Sequence, residues 1–294
     1  MDIKEALPPK KYSDALKHST TPEFKAKVQT AIERLKKWRV SPGVAQDIPA
    51  ILQFGFGKDA MAAAIVLAKA GIKFEGFVID NLGDFPGHEL VVTEWEQFMP
   101  DFNYVVAAST RRYVDVVKYW LDWAKYYKVT DKKGKFPNFF DWGRVEDQIC
   151  YELVGQFELL GETGVPGTMR IWGNRGAEGM ERFYEVQKRG MFYLVGQLEE
   201  DTSFWRCLPI SDWRDIDVWA LLVSENCPVS PIYAKHEIPM GGGKKAFPRT
   251  VFWAAPEIWN PNYYKWLGKY YPALLKEAIE KFPEIETRFA PESN

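Results

Sequence analysis

Ile51–Phe54 is an apolar run that stops at two glycines, and the chain then turns directly into a helix-forming stretch. Gly55-Phe56-Gly57-Lys58-Asp59-Ala60 leads into a segment rich in Ala, Ile and Leu that reaches Ala70, with Gly71 as its C-terminal stop. A buried strand, a glycine turn and a helix in that order aim backbone N–H groups and a helix N-terminus at one point, which attracts anions. The same alternation continues downstream. Phe74–Ile79 reads as a second apolar strand with Asp80 at its end, Glu89–Phe98 as a helix, Tyr104–Ala107 as a short strand and Arg111–Tyr127 as an aromatic helix. After an irregular stretch at Val129–Trp142, a helix over Gly143–Leu160 precedes a strand at Thr168–Trp172, which ends at Gly173-Asn174-Arg175-Gly176. Ala177–Lys188 reads as a helix, Met191–Leu208 alternates like a hairpin, and Arg214–Ser224 reads as a helix. This order predicts an α/β fold: a doubly wound, mainly parallel, Rossmann-like sheet with helical and loop elaborations.

The flanks add less. Residues 1–20 read as a polar lead-in, and Thr21-Pro22-Glu23 opens a helix to about Trp38, with Thr as cap and Pro in the first turn. Lys235–Arg249, with three consecutive glycines, reads as a mobile loop, and Tyr263–Lys281 as one terminal helix. The expected organisation is a helical lead-in over 1–45, a nucleotide-binding domain over 46–235, and a loop-and-helix elaboration over 236–294 packed on that same domain. A net charge of −2 gives no global field toward nucleic acid or membrane. No apolar run approaches the roughly 20 residues of a membrane span, and the N-terminus has no apolar signal-peptide core, so the cytoplasm is the expectation. The three cysteines, Cys150, Cys207 and Cys227, form no C-x-x-C pair, which argues against an iron–sulfur cluster or zinc site.

Three readings compete for the glycine turn. A Walker A loop fails, because Asp59 follows Lys58 where Ser or Thr is needed and no glycine stands five residues before Gly57. A dinucleotide fingerprint matches literally: Gly55-x-Gly57-x-x-Ala60, with Asp80 where a ribose-binding acid would sit. Against it, Asp59 would face the pyrophosphate with a like charge. The third reading is a pyrophosphate loop in which the aspartate belongs. Asp59 would hold Mg²⁺ or orient the cradle, while Lys58 and backbone N–H groups meet phosphate oxygens.

Later segments bear on the choice. Val78–Glu89, VIDNLGDFPGHE, resembles the D-T-G…F-P-E-T stretch of phosphoadenosine phosphosulfate (PAPS) reductases, a branch of the adenine-nucleotide α-hydrolase (PP-loop) group. Gly173–Arg182, GNRGAEGMER, resembles their G-x-R-x-x-E-S-x-x-R; Leu208–Trp219, LPISDWRDIDVW, resembles P-I-x-D-W-x-x-x-D-V-W; and Pro228–Tyr233, PVSPIY, resembles P-x-N-P-L-Y. The glycine turn resembles the S-x-G-x-D-S loop of the same group with both serines replaced, by Gly55 and Ala60, and Phe56 in place of a glycine. These segments run in the family's order from about Ile51 to Tyr233. The resemblance implies an adenine-nucleotide site. Lys58, Asp59 and Arg175 would act at the phosphates. Gly55, Phe56, Gly57, Ala60, Asp80, Gly173, Glu178 and Arg182 would complete the nucleotide pocket, with Asp59 also the candidate Mg²⁺ ligand.

The departures also point somewhere. The tail, FPEIETRFAPESN, lacks the reductase's nucleophilic cysteine. The expected ligand is therefore ATP or a related adenine nucleotide, cleaved at the α-phosphorus to adenylate an unidentified acceptor with release of pyrophosphate. A sulfonucleotide reductase using an external thiol is the second reading, and a nucleotide-gated binding or regulatory protein without turnover, with nucleic acid as a candidate target, is the third. Aromatic and basic residues do interleave, at Tyr119–Lys135 and at Lys244, Lys245, Phe247, Arg249 and Trp253. A solvated lysine-rich surface explains them as well, so a nucleic-acid partner is not favoured.

Overall fold

The computed structural model describes residues 3–80, 85–108, 166–196, 203–235, 238–241, 244–246, 261–281 and 283. The expected helices at Arg111–Tyr127 and Gly143–Leu160, the lysine-rich tip at 131–135, and Cys150, Phe247, Arg249 and Trp253 lie outside them. The chain divides into two compact units. The first comprises Met1–Ile79, Pro86–Ala107 and Glu158–Ala234; the second Asp80–Phe85, Ala108–Phe157 and Lys235–Asn294.

The first unit is built on a six-stranded sheet in the order β3-β2-β1-β4-β6-β5. The strands are β1 (Ala50–Gln53), β2 (Phe74–Asp80), β3 (Tyr104–Ala108), β4 (Thr168–Ile171), β5 (Phe192–Val195) and β6 (Phe204–Cys207). β1 pairs in parallel with β2 and β4, β4 pairs in parallel with β6, and β5 is antiparallel to β6. The expected doubly wound, mainly parallel sheet is the observed one. The chain leaves β1 toward β2 on one side, and β4 lies on the other, so the C-terminal ends of β1 and β4 flank the point where strand order reverses. Open α/β sheets bind ligands there.

Helix α4 (Lys58–Lys69) follows β1 and is buried almost all round, from Met61 through Leu67. Three consecutive alanines keep it slim enough to sit in the layer beneath α3 (Pro22–Arg39) and the later helix α7 (Asp215–Ser224). Gly71, at φ 67, supplies the left-handed residue that ends it. At the start of α3, Thr21 accepts from the Phe24 amide at 3.3 Å and Pro22 fills the first turn, as the sequence indicates. α5 (His88–Phe98) packs Trp95 against Phe54 and Phe102. A short 3₁₀ turn, Gly176–Glu178, leads into α6 (Met180–Arg189).

Residues 1–20 differ from the polar lead-in expected of them. They form α1 (Ile3–Ala6) and α2 (Pro9–Ser19), which bury Ile3, Ala6, Leu7 and Ala15 and pack on α7. A polar average conceals these few buried apolar residues.

In the second unit, β7 (Ile238–Gly241) and β8 (Lys244–Ala246) form an antiparallel pair. This pair replaces part of the expected loop. The terminal helix is two: α8 (Pro261–Tyr270) and α9 (Pro272–Lys281). Pro272 lacks the amide that would continue α8 and restricts Tyr271 before it, so the helix breaks there and restarts. Phe85 packs on Trp266 and Tyr271 in this unit, with ring centroids 5.9 and 4.9 Å apart. No helix among the described residues is long and apolar enough to cross a membrane.

Candidate phosphate site

The turn after β1 has two characters. Ideal Cβ atoms built on Gly55 and Gly57 would meet nothing within 4 Å, so both glycines face open space on the ligand side of the loop. Gly57 caps α4 in extended conformation, with no side-chain cap on the helix N-terminus. Phe56 faces the other way. At φ 50 it is a non-glycine residue in left-handed conformation, and its ring is buried against Phe54, His88 and Tyr104, at 4.7, 5.5 and 5.9 Å. Its side chain serves the core, and only its backbone belongs to the turn. A left-handed phenylalanine costs about 1–2 kcal/mol, whereas deleting a buried ring costs about 3–5 kcal/mol. Packing therefore wins, and Phe56→Gly is expected to lower stability by roughly 2–3 kcal/mol in urea denaturation. A stabilised variant would show that strain, not packing, governs the position.

Opposite this turn the chain leaves β4 through Trp172–Gly176. Gly173 comes so close that a Cβ there would lie 2.6 Å from the carbonyl carbon and oxygen of Asp59 and 2.8 Å from the amide nitrogen of Ala60. The Gly176 amide donates to the Ser211 carbonyl at 2.8 Å, tying this turn to the segment before α7.

The charged groups converge across the gap. Arg175 Nε donates to Asp59 Oδ1 at 2.7 Å, and Lys58 Nζ donates to Asp59 Oδ2 at 2.6 Å. Both cations are buried, Arg175 at 4% exposure and Lys58 at 8%. Glu178 accepts from the Arg175 amide at 3.1 Å, pairs with its guanidinium at 3.5 Å and pairs with Arg182. The Arg175–Glu178 pair is thus a brace on a buried arginine, with more at stake than the few tenths of a kcal/mol of an exposed helical pair. The Lys58 amide, first of α4, donates to the Tyr233 hydroxyl at 3.3 Å. Burial holds the Tyr233 hydroxyl far above its ordinary pKa, despite the bond from Lys58, so it stays neutral.

Sequence reasoning did not single out three members of this cluster. Asp215, at the start of α7, lies 3.3 Å from Lys58 Nζ and 3.5 Å from Arg175. Lys11 on α2 donates to Asp215 at 3.0 Å and sits over the Trp219 ring at 4.8 Å. Tyr233 is the third. Burial alone would raise the Asp215 pKa, but Lys58, Lys11 and Arg175 more than offset that and hold it below the ordinary carboxylate value.

The structure therefore brings together Gly55, Gly57, Lys58, Asp59, Ala60, Gly173, Arg175, Glu178 and Arg182. Asp80 is the last residue of β2. Asp59 is not presented to a metal: both of its oxygens accept from cations. Among the described residues no group of three or more His, Cys, Asp or Glu is placed to hold an ion. One carboxylate so engaged does not make a resident Mg²⁺ site. Cys207 and Cys227 are buried, which pushes both thiols well above their ordinary pKa and makes them poor nucleophiles. Trp213 and Trp219 are buried packing residues.

No family model matches the chain, and no curated protein does. Solved structures similar to it include a PAPS reductase from Candida auris in a phosphate complex, at 13% identity over 68% of this chain and 87% of that one, with a TM-score of 0.38. An NMN synthetase from Francisella tularensis shows 12% identity over 70% and 71% of the two chains, with a TM-score of 0.43. An FMN adenylyltransferase from Candida glabrata, in complex with FAD and inorganic pyrophosphate, shows 11% identity over 79% and 72%, with a TM-score of 0.43.

Proposed function

We propose that this protein binds ATP or a related adenine nucleotide at the turn Gly55–Asp59 and transfers its adenylyl group to an acceptor. One observation carries the reading. An open glycine loop, the N-terminus of α4 and the buried cations Lys58 and Arg175 converge where strand order reverses. The acceptor's nucleophilic atom attacks the α-phosphorus. The bond from that phosphorus to the bridging oxygen breaks, its electron pair leaves with pyrophosphate, and the acceptor's proton, where it has one, goes to solvent. The protein's share is positioning and electrostatic stabilisation, for which Lys58, Arg175, Arg182 and the loop amides suffice. Any Mg²⁺ would arrive on the nucleotide's own phosphates.

Calorimetric titration with ATP, PAPS, adenosine 3′,5′-bisphosphate and NAD, each with and without Mg²⁺, tests the reading, followed by an assay for pyrophosphate release. ATP binding with release supports it. ATP binding without release supports a nucleotide-gated protein, preference for PAPS or the bisphosphate supports the sulfonucleotide reading, and binding of NAD alone refutes all three. Arg175→Lys keeps the charge but loses the Nε–Asp59 bond and the planar fork, and is expected to weaken ATP binding about tenfold or more. Unchanged affinity would remove Arg175 from the phosphate site.

A further inference from the structure

Asp215 is surrounded as a bound phosphate would be. Lys11 Nζ lies 3.0 Å from one of its oxygens, Lys58 Nζ and an Arg175 terminal nitrogen lie 3.3 and 3.5 Å from the other, and the Trp219 indole N–H donates at 3.0 Å. These donors come from α2, α4, the turn after β4 and α7 itself. They converge at the N-terminal end of α7, where the helix dipole adds to the attraction for an anion. We propose that Asp215 is an internal stand-in for a ligand phosphoryl group, holding Lys11, Lys58 and Arg175 in register and yielding its place when the ligand's phosphate arrives. Lys11, on the N-terminal helix α2, is then a further phosphate-binding cation beside Lys58, Arg175 and Arg182. The proposal rests on the Gly55–Asp59 turn being a phosphate site, and it adds a residue and a competition that the turn alone does not reveal.

The geometry separates Asp215 from Asp59. Asp59 accepts at 2.6 and 2.7 Å from two buried cations and is 21% exposed. Asp215 is 42% exposed and its three cation contacts are longer. Short enclosed contacts make Asp59 part of the scaffold, whereas longer contacts open to water mark a group that can be displaced. Charge points the same way. Four cations, Lys11, Lys58, Arg175 and Arg182, face three carboxylates, Asp59, Glu178 and Asp215. With Asp215 in place the cluster carries one net positive charge; with it turned out to water, one more positive charge meets a polyanion.

The test is calorimetric titration of inorganic pyrophosphate and, separately, ATP into the wild-type protein and into Asp215→Asn, Lys11→Gln, Lys11→Arg and Glu225→Gln. Glu225 caps the far end of α7, about 15 Å along the helix, and its replacement changes net charge by the same unit. Asp215→Asn should bind pyrophosphate about tenfold tighter, Lys11→Gln should bind it several-fold more weakly, and Lys11→Arg should restore it. Glu225→Gln should stay within about twofold. Unchanged or weaker binding by Asp215→Asn, equal tightening by Glu225→Gln, or an indifferent Lys11→Gln each overturns the proposal. Should Asp215→Asn fail to fold, the Lys11 pair decides it. If pyrophosphate behaves as described while ATP binds nowhere, the stand-in holds and the adenine-nucleotide reading falls. If ATP binds and Asp215→Asn does not tighten pyrophosphate, the reverse is true.

Discussion

Asp217→Asn is expected to destabilise the protein by roughly 3 kcal/mol in urea denaturation near neutral pH. Asp217 is 1% exposed and accepts four ways: from Lys27 Nζ at 2.7 Å, from the Arg214 amide at 2.7 Å, from the Arg214 guanidinium, and in a 2.7 Å bond with His18 Nε2. Asparagine matches the shape but has one acceptor oxygen, so its NH₂ group would face donors. Lys27 and Arg214 are partly exposed and can turn to water, which keeps the loss below that of a fully enclosed pair. The carboxylate also sets a pH dependence. Burial would raise its pKa, but the bonds from Lys27, the Arg214 amide, His18 and the Arg214 side chain outweigh that and hold it well below the usual carboxylate range. A lowered native pKa means that the stabilisation is fully present above the unfolded value of about 3.9 and is lost as pH falls from there toward the native value. The stability gap between wild type and Asp217→Asn should therefore be wide at pH 7 and shrink in acid. A gap independent of pH would mean that shape, not charge, is what Asp217 supplies.

Asp217 also marks a boundary in what the sequence could say. It lies in the motif segment Leu208–Trp219, yet its partners His18 and Lys27 lie some 190 residues away on helices of their own. The elements around the candidate site were readable because each rests on local signals. An apolar run makes β1, a glycine pair makes the turn, an alanine-rich stretch makes α4, and Thr21-Pro22 starts α3. Arg175, Glu178 and Arg182 entered through the resemblance of Gly173–Arg182 to a family motif, on a turn after a strand, where a parallel sheet presents ligands. Lys11, Asp215 and Tyr233 were not, because each enters the cluster through tertiary packing. Lys11 needs α2 to lie on α7, and a polar N-terminal segment gives little sign of that. Phe56 misled for a backbone reason. It occupies a ligand-loop position in sequence, but its left-handed conformation turns the ring into the core. The split of α8 from α9 was legible in principle, since Pro272 breaks the helix whatever its surroundings, whereas three consecutive glycines in the sequence read as a loop and gave no sign of the β7–β8 pair.

Gly173→Ala is the substitution expected to damage the phosphate site most for the least chemical change. The methyl group would be built 2.6 Å from the Asp59 carbonyl and 2.8 Å from the Ala60 amide nitrogen, and these are backbone atoms in the first turn of α4, not the end of a side chain that can swing aside. Either the β4 turn moves back or α4 moves away, by about an ångström to reach ordinary contact. Both movements separate Arg175 from Asp59, whose 2.7 Å bond joins the two halves of the site. Overpacking of this kind costs about 1–3 kcal/mol of stability, which a unit with so buried a helix can absorb while staying folded. Binding should fare worse, since a shift of about 1 Å in a positioning group costs on the order of a hundredfold. The expected result is a folded protein with a modestly lowered urea midpoint and nucleotide affinity reduced at least tenfold. The comparison with Gly55→Ala isolates the cause. A methyl group at Gly55 meets nothing in the protein, so that variant should keep its stability and lose affinity only if a ligand occupies the space beside the loop. If both variants bind the nucleotide as the wild type does, the ligand lies elsewhere and the turn merely links a strand to a helix. If Gly173→Ala binds poorly and Gly55→Ala binds well, the two halves of the site must stay in register, and the phosphates rest on the α4 amides and the cations, away from Gly55.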